Sequence, residues 1–308
     1  MPPRITISLT NFAAHDPGGW DHLLDRARAA DDAGVDRLVV SDHVVYGENL
    51  EAYGRPELGG TAGGRQPTGP DGHWLEPLTL LSVIAGLTSR VRLGTAVLLA
   101  ALRRPVVLAK TAATLDVLSR GRLDLGVGVG WQREEYDAAG LSFDDRGRLL
   151  DRTLDVCVAL WQHSPASFHT PELHFDAIHS RPAPLQPGGV PIWVSGTVNR
   201  RVVDRVARFG LRWITWGDAM VDPVAGVTAM RAALTERGHD PRGLQVLGTL
   251  PVVVDGDRPD VPATMASVPA MVDAGITDFR VHLSLPRARA EATDALGAIV
   301  DAFRAAAA

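Results

Sequence analysis

Short apolar runs and amphipathic stretches take turns eight times along this chain, and that alternation constrains the fold more than any other property. The runs are Ile5 to Leu9, Arg37 to Val40, Val91 to Val97, Leu123 to Val129, Ile192 to Val194, Trp213 to Trp216, Leu244 to Val254 and Phe279 to Leu283. The spacing between and after them predicts helices over Trp20 to Ala33, Pro77 to Leu87, Pro105 to Leu118, Asp144 to Gln162, Arg200 to Phe209, Val224 to Arg237, Pro262 to Ala274 and Ala288 to Ala306. Each unit is too short to cover its own apolar face. Strands separated by helices make a parallel sheet, and eight units close into a (β/α)8 barrel of the α/β class. An open doubly wound sheet gives the same alternation and is the second reading. Such a barrel fills about 250 residues as one domain, so the 308 residues are read as a single domain, 1–308.

Two insertions interrupt the rhythm, at about 47–73 and 164–190. The first, Gly47 to His73, is rich in glycine and proline and leaves the C-terminal end of the second strand. Barrel enzymes build their sites at that end, so a lid is the preferred reading. The second contains a predicted hairpin over Ser167 to His179 and a proline-rich passage from Arg181 to Pro191. Composition then narrows the function. Thirty-one basic against thirty-six acidic residues give a net charge of -5, without the basic excess of a nucleic-acid or anionic-membrane binder. One cysteine allows no internal disulfide, no apolar run reaches the ~18 residues of a membrane helix, and the first strand begins almost at once. A cytoplasmic location is expected.

The strand ends are rich in glycine, hydroxyls and aromatic rings and poor in nucleophiles with an adjacent base. Such a rim suits a flat cofactor with a phosphate tail. Ser195-Gly196-Thr197-Val198-Asn199 leads from a strand into a helix, where free N–H groups would accept a phosphate; an ordinary N-cap by Thr197 or Asn199 is the alternative. Gly126 to Gly130 fails the dinucleotide pattern, because Trp131 stands where its third glycine belongs. Those glycines are read as letting a planar ring approach. His43, next to Asp42, is the candidate for proton transfer, against a histidine bonded only to a loop carbonyl. His169, His174 and His179 recur every five residues, a spacing that puts neighbours on opposite strand faces, so no metal site is expected. Cys157 and Trp161 are read as core.

From Trp74 to Trp161 the chain carries a run of motifs: Trp-Leu-Glu-Pro-Leu-Thr, then Ser89-Arg90-Val91-Arg92-Leu93-Gly94-Thr95, Arg104-Pro105, Ala113-Thr114-Leu115-Asp116, Leu118-Ser119-Arg120-Gly121-Arg122 and Gly126-Val127-Gly128-Val129-Gly130-Trp131. With Ser41-Asp42-His43 before it and Pro191 to Gly196 after it, the chain resembles the bacterial luciferase-like superfamily, and within it the coenzyme F420-dependent oxidoreductases. The resemblance implies a (β/α)8 barrel holding a deazaflavin or flavin at the C-terminal rim, with His43 as the catalytic residue and Asp42 beside the ring. It implies a non-proline cis peptide at Ala96–Val97 pressing on the ring, with Thr95, Ala96 and Val97 among the cofactor-binding residues. Gly128, Val129, Gly130, Trp131 and Glu134 would flank the ring or its tail, and Ser195, Gly196 and Thr197 would hold the phosphate. A homodimer through helices of the first half is also implied.

The sequence departs from the family's pattern in three places. Ser195 replaces the first of two glycines in the phosphate turn. Gly210-Leu211-Arg212-Trp213 stands for Gly-Asp-Gly-Trp. Trp131 replaces the proton-donating glutamate of a sugar-phosphate dehydrogenase branch, which makes that substrate a poor expectation. The expected function is therefore hydride transfer between coenzyme F420 and a small organic substrate. An FMN-dependent monooxygenase fed by a separate reductase is the alternative. A non-catalytic flavin-binding protein and a metal-dependent barrel hydrolase are the remaining readings.

Overall fold

A computed structural model describes residues 2–256 and 258–308. Its eight parallel strands are β1 (Arg4–Ser8), β2 (Arg37–Val40), β3 (Arg92–Thr95), β4 (Leu123–Val127), β5 (Ile192–Gly196), β6 (Arg212–Thr215), β7 (Gln245–Thr249) and β8 (Asp278–Val281). Each pairs with the next in chain order and β8 pairs with β1, so the sheet closes and the open-sheet reading is set aside. The register runs Ile5 to Phe279 across the closure and Thr6 to Arg37 on the other side of β1.

Proline at the first turn starts the helices Pro77–Leu87 and Pro105–Leu118, where a missing N–H costs nothing. Their bounds are those expected from sequence. The seventh helix differs. It divides into Val261–Met265 and Val268–Ala274, because Pro269 has no N–H to continue the ladder. The long fourth helix begins at Arg146 and not Asp144, and a separate short helix, Arg133–Ala138, precedes it. The chain after β7 leaves the barrel at Leu250, earlier than the extended run to Val254 implied.

Apolar side chains fill the shell between strands and helices, with Ile5, Leu38, Leu93 and Phe279 essentially sealed from solvent. Inside the barrel the filling is layered. At its N-terminal end Arg37 pairs with Asp124 at 2.9 Å and Asp278 at 2.7 Å, and Arg92 adds a second bridge to Asp124. Above that ionic floor Trp193, Ile214 and Leu247 form a small apolar plug, with Val97 packed on it. The plug closes the barrel from below, so any site lies at the C-terminal mouth. Among the described residues no helix is long and apolar enough to cross a membrane.

Candidate active site

A cavity of about 970 Å3 opens at that mouth, large enough for a tricyclic ring with a tail. The 47–73 insertion covers part of it. Trp216, just beyond β6, donates from Nε1 to the carbonyls of Gly59 and Gly60 at 3.1 and 3.2 Å, which ties the insertion to the rim. Tyr53 and Gln66 of the insertion face the cavity.

His43 follows β2 on the cavity wall. Its Nδ1 lies 3.2 Å from Oε2 of Glu135, a side chain with no exposure, whose Oε1 accepts from the Val44 N–H at 2.8 Å. A carboxylate on Nδ1 holds the proton there and leaves Nε2 as the nitrogen free to exchange one. Trp74 and Trp131 meet the imidazole edge-on, with centroids at 4.9 and 5.7 Å, and Tyr46 lies tilted at 4.3 Å. The ring is thus fixed by four neighbours.

The sequence paired His43 with Asp42, and the structure separates them. Asp42 accepts from the Leu99 N–H at 2.8 Å and forms a two-pronged pair with Arg103, which also reaches Glu76 at 2.9 Å. Burial pushes the Asp42 carboxyl above its ordinary value, against the pull of Arg103. Its acceptor capacity goes to holding the turn after β3. Asp42 and His43 lie in the loop after β2 and their side chains go to different partners, which is why adjacency in sequence misled. The residue that sequence reasoning missed is Glu135, 92 positions away from its histidine.

The Ala96–Val97 peptide is cis, as the resemblance implies. The backbone swings out there and returns to β4, where Leu98 N donates to Gly126 O at 2.7 Å and Gly128 N to Leu98 O at 3.1 Å. Two glycines make room for that path. A Cβ on Gly126 would lie 1.9 Å from the Thr95 carbonyl, and one on Gly128 would lie 2.7 Å from Val97 Cγ2. Gly126 therefore accommodates a neighbouring strand, a correction to its reading as ring clearance. Ala96, Val97, Gly128, Val129, Gly130 and Trp131 all line the cavity.

Across the mouth, Ser195, Gly196 and Thr197 line the cavity where β5 runs into the helix Arg200–Arg208. Asn199 caps that helix by accepting from Val202 N–H at 3.1 Å, so the capping reading holds for Asn199. Arg200, Arg201 and Arg146 also border this end. Arg201 makes no ion pair among the described residues, and Arg146 Nε is buried without a partner. An exposed helix start with unspent guanidinium donors is the chemistry of an oxyanion site. The donor set thus fits a phosphate, and the cavity fits the ring that would carry it.

Two expected positions do not line the cavity. Thr95 is buried and donates to the Gly126 carbonyl at 2.6 Å. Glu134 turns toward the insertion, where a Cβ on Gly47 would lie 2.3 Å from its Cγ. One residue is about 100° on a helix, so Glu135 faces His43 and Glu134 cannot. On the hairpin Ala166–Thr170 with Leu173–Ile178, His169 and His174 are register partners. Their rings stack at 4.4 Å and both reach Asp176, at 2.7 and 3.0 Å. The face argument from spacing fails for this pair, because directly opposed residues of an antiparallel pair share a face. His179 sits apart, beside Ser164. The three clustered groups are exposed and could accept a cation, though Asp176 already satisfies both rings.

The solved structures most like this one include an F420-dependent secondary alcohol dehydrogenase in complex with an F420–acetone adduct, with a TM-score of 0.75 and 17% identity over 98% of this chain and 99% of that one. The FMN-bound oxygenating constituent of 3,6-diketocamphane monooxygenase from Pseudomonas putida gives 0.72 and 14% over 99% of each. Among curated sequences, the phthiodiolone/phenolphthiodiolone dimycocerosates ketoreductase of Mycobacterium tuberculosis is 33% identical over 200 residues, 63% of this chain and 51% of that protein. The chain spans about half the length of the curated relatives it matches. The family model for luciferase-like monooxygenase matches residues 4–295, and with that match the chain belongs to the luciferase-like monooxygenase family.

Proposed function

We propose that this protein transfers a hydride between coenzyme F420 and a carbonyl–alcohol substrate pair. The observation that carries the reading is His43, fixed by buried Glu135 on the wall of a ring-sized cavity whose far end gathers arginines at a helix start. When bound, the deazaflavin supplies a two-electron hydride couple. The chain supplies the rest. The Ala96–Val97 turn and the Gly128 backbone give the ring a face to rest on. Ser195, Gly196 and Thr197, with Arg200 and Arg201, hold the tail. His43 Nε2 exchanges a proton with the substrate oxygen while Glu135 balances the imidazolium charge. The 47–73 insertion keeps water out. The ketoreductase relative supports a carbonyl substrate, and the alcohol dehydrogenase supports F420 in this fold.

FMN is the second reading, because the phosphate-holding end recognises either tail and a monooxygenase with FMN shares the fold. Titration of the purified protein with each cofactor, followed by fluorescence, separates them. Micromolar binding of F420 with much weaker binding of FMN is expected; the reverse order would transfer the protein to the flavin branch. His43→Gln should lower turnover by about 100-fold or more, in line with loss of a positioned acid–base group, with cofactor affinity within threefold. Equal loss of both would remove His43 from the chemistry. We also propose a cytoplasmic homodimer, its contact made through the helices Pro77–Leu87 and Pro105–Leu118, which leave Val83, Val106, Val107 and Leu118 exposed.

A further inference from the structure

One sector of the cavity wall carries a cation for which the fold supplies no counter-charge. Arg280, on β8, is 8% exposed and lines the cavity. Its Nη2 donates to Thr249 Oγ1 at 2.9 Å and lies 3.7 Å from Met220 Sδ. Its Nε is buried with no partner. The other arginines as deeply buried are all compensated. Arg37 pairs with Asp124 and Asp278, and Arg205 pairs with Asp151. Arg122 donates to the carbonyls of Ser119, Val91, Ala85 and Thr88. Arg280 has one hydroxyl and a thioether, and among the described residues no carboxylate pairs with it.

A guanidinium stays charged at any working pH and offers five donors, so most of this one is unspent. Its surroundings do not neutralise it. Burial raises the Tyr53 phenol above its ordinary value, so that neighbour on the insertion is uncharged. His282, the first residue after β8 and 3.4 Å from Ser8 Oγ, is pushed down to about 4 by the enclosing walls and by Arg280, and is neutral at pH 7. A fold tolerates a buried, unpaired charge when a ligand completes it. The phosphate-holding end is on β5, and β8 lies three strands away around the barrel, so the cofactor tail is already provided for elsewhere.

We infer that Arg280 anchors an oxyanion of the substrate, so that the enzyme acts on anionic small molecules, carboxylates first. The inference rests on the proposed reading only in that the substrate enters the same mouth as the cofactor. It assigns the substrate's charged end to β8 and its reacting carbon to His43, which follows β2, two strands on around the barrel past β1.

The test reads binding without turnover. Benzoate and its neutral counterpart benzamide are titrated calorimetrically into the purified protein at constant ionic strength, since aromatic rings line much of the cavity. Benzoate should bind at least tenfold more tightly than benzamide. In Arg280→Met that preference should vanish, while Arg280→Lys should keep part of it and Arg201→Gln should keep it all. Equal binding of the two probes by the native protein would overturn the inference, even if no variant folds. So would a preference that survives Arg280→Met and disappears in Arg201→Gln. Failure to bind F420 would remove the proposed cofactor and leave this result standing, so the two outcomes are distinguishable.

Discussion

At the scale of single residues, the site is a set of polar groups each held by partners that other parts of the chain supply. Glu135 orients His43, Arg103 holds Asp42, and Asp31 shows the same device away from the site. The Asp31 carboxylate accepts from the N–H groups of Ser89, Arg90 and Val91 at 2.7 to 2.8 Å, just before β3. Burial alone would raise its pKa, and those hydrogen bonds outweigh it and hold the carboxyl below its ordinary value. A depressed carboxyl contributes stability above its unfolded pKa and loses it as pH falls through the folded one. Asp31→Asn should therefore lower stability by about 1–3 kcal/mol at pH 7, with the gap to the native protein closing below about pH 4. Thermal melts across that range check it, and a gap independent of pH would reject the charge argument. Residue types of this kind were legible in the sequence, and their partners were not. His43 could be singled out from its chemistry, but Glu135 lies 92 positions away, and spacing carries no information about a contact across the fold.

At the scale of elements, the turn after β3, where it packs against β4, depends on the absence of two side chains. Gly126→Ala would force its Cβ to within 1.9 Å of the Thr95 carbonyl, and backbone there cannot step aside. The expected cost is about 1–3 kcal/mol, read as a lowered denaturation midpoint, together with weaker cofactor binding because the Ala96–Val97 turn moves. Native stability with native affinity would show the turn to be independent of β4. Element boundaries were readable wherever local chemistry punctuates the chain. Proline opens Pro77–Leu87 and Pro105–Leu118, and both agree at each end. The short helix Arg133–Ala138 escaped because six residues are too few for a periodic pattern, and it carries Glu135. The cis peptide at Ala96–Val97 came from the resemblance, and composition gives no sign of it.

At the scale of the whole molecule, an ionic floor and an apolar plug close one end of the barrel and leave the chemistry to the other. Eightfold alternation made that architecture legible, because no other closed parallel arrangement accommodates eight such units. The proposed dimer is tested by light scattering on the eluting protein. Twice the 32.9 kDa chain mass is expected, falling to one chain mass when Val107 and Leu118 are both changed to aspartate; a monomeric native protein would remove it. The central claim, a flat ring seated at the C-terminal mouth, is tested most directly by a crystal structure of the protein grown with F420. The account predicts the ring packed against Ala96–Val97 within reach of His43, with the tail phosphate among Ser195, Thr197 and Arg201. Density for the ring anywhere else, or a cofactor lying with its phosphate against Arg280, would contradict it.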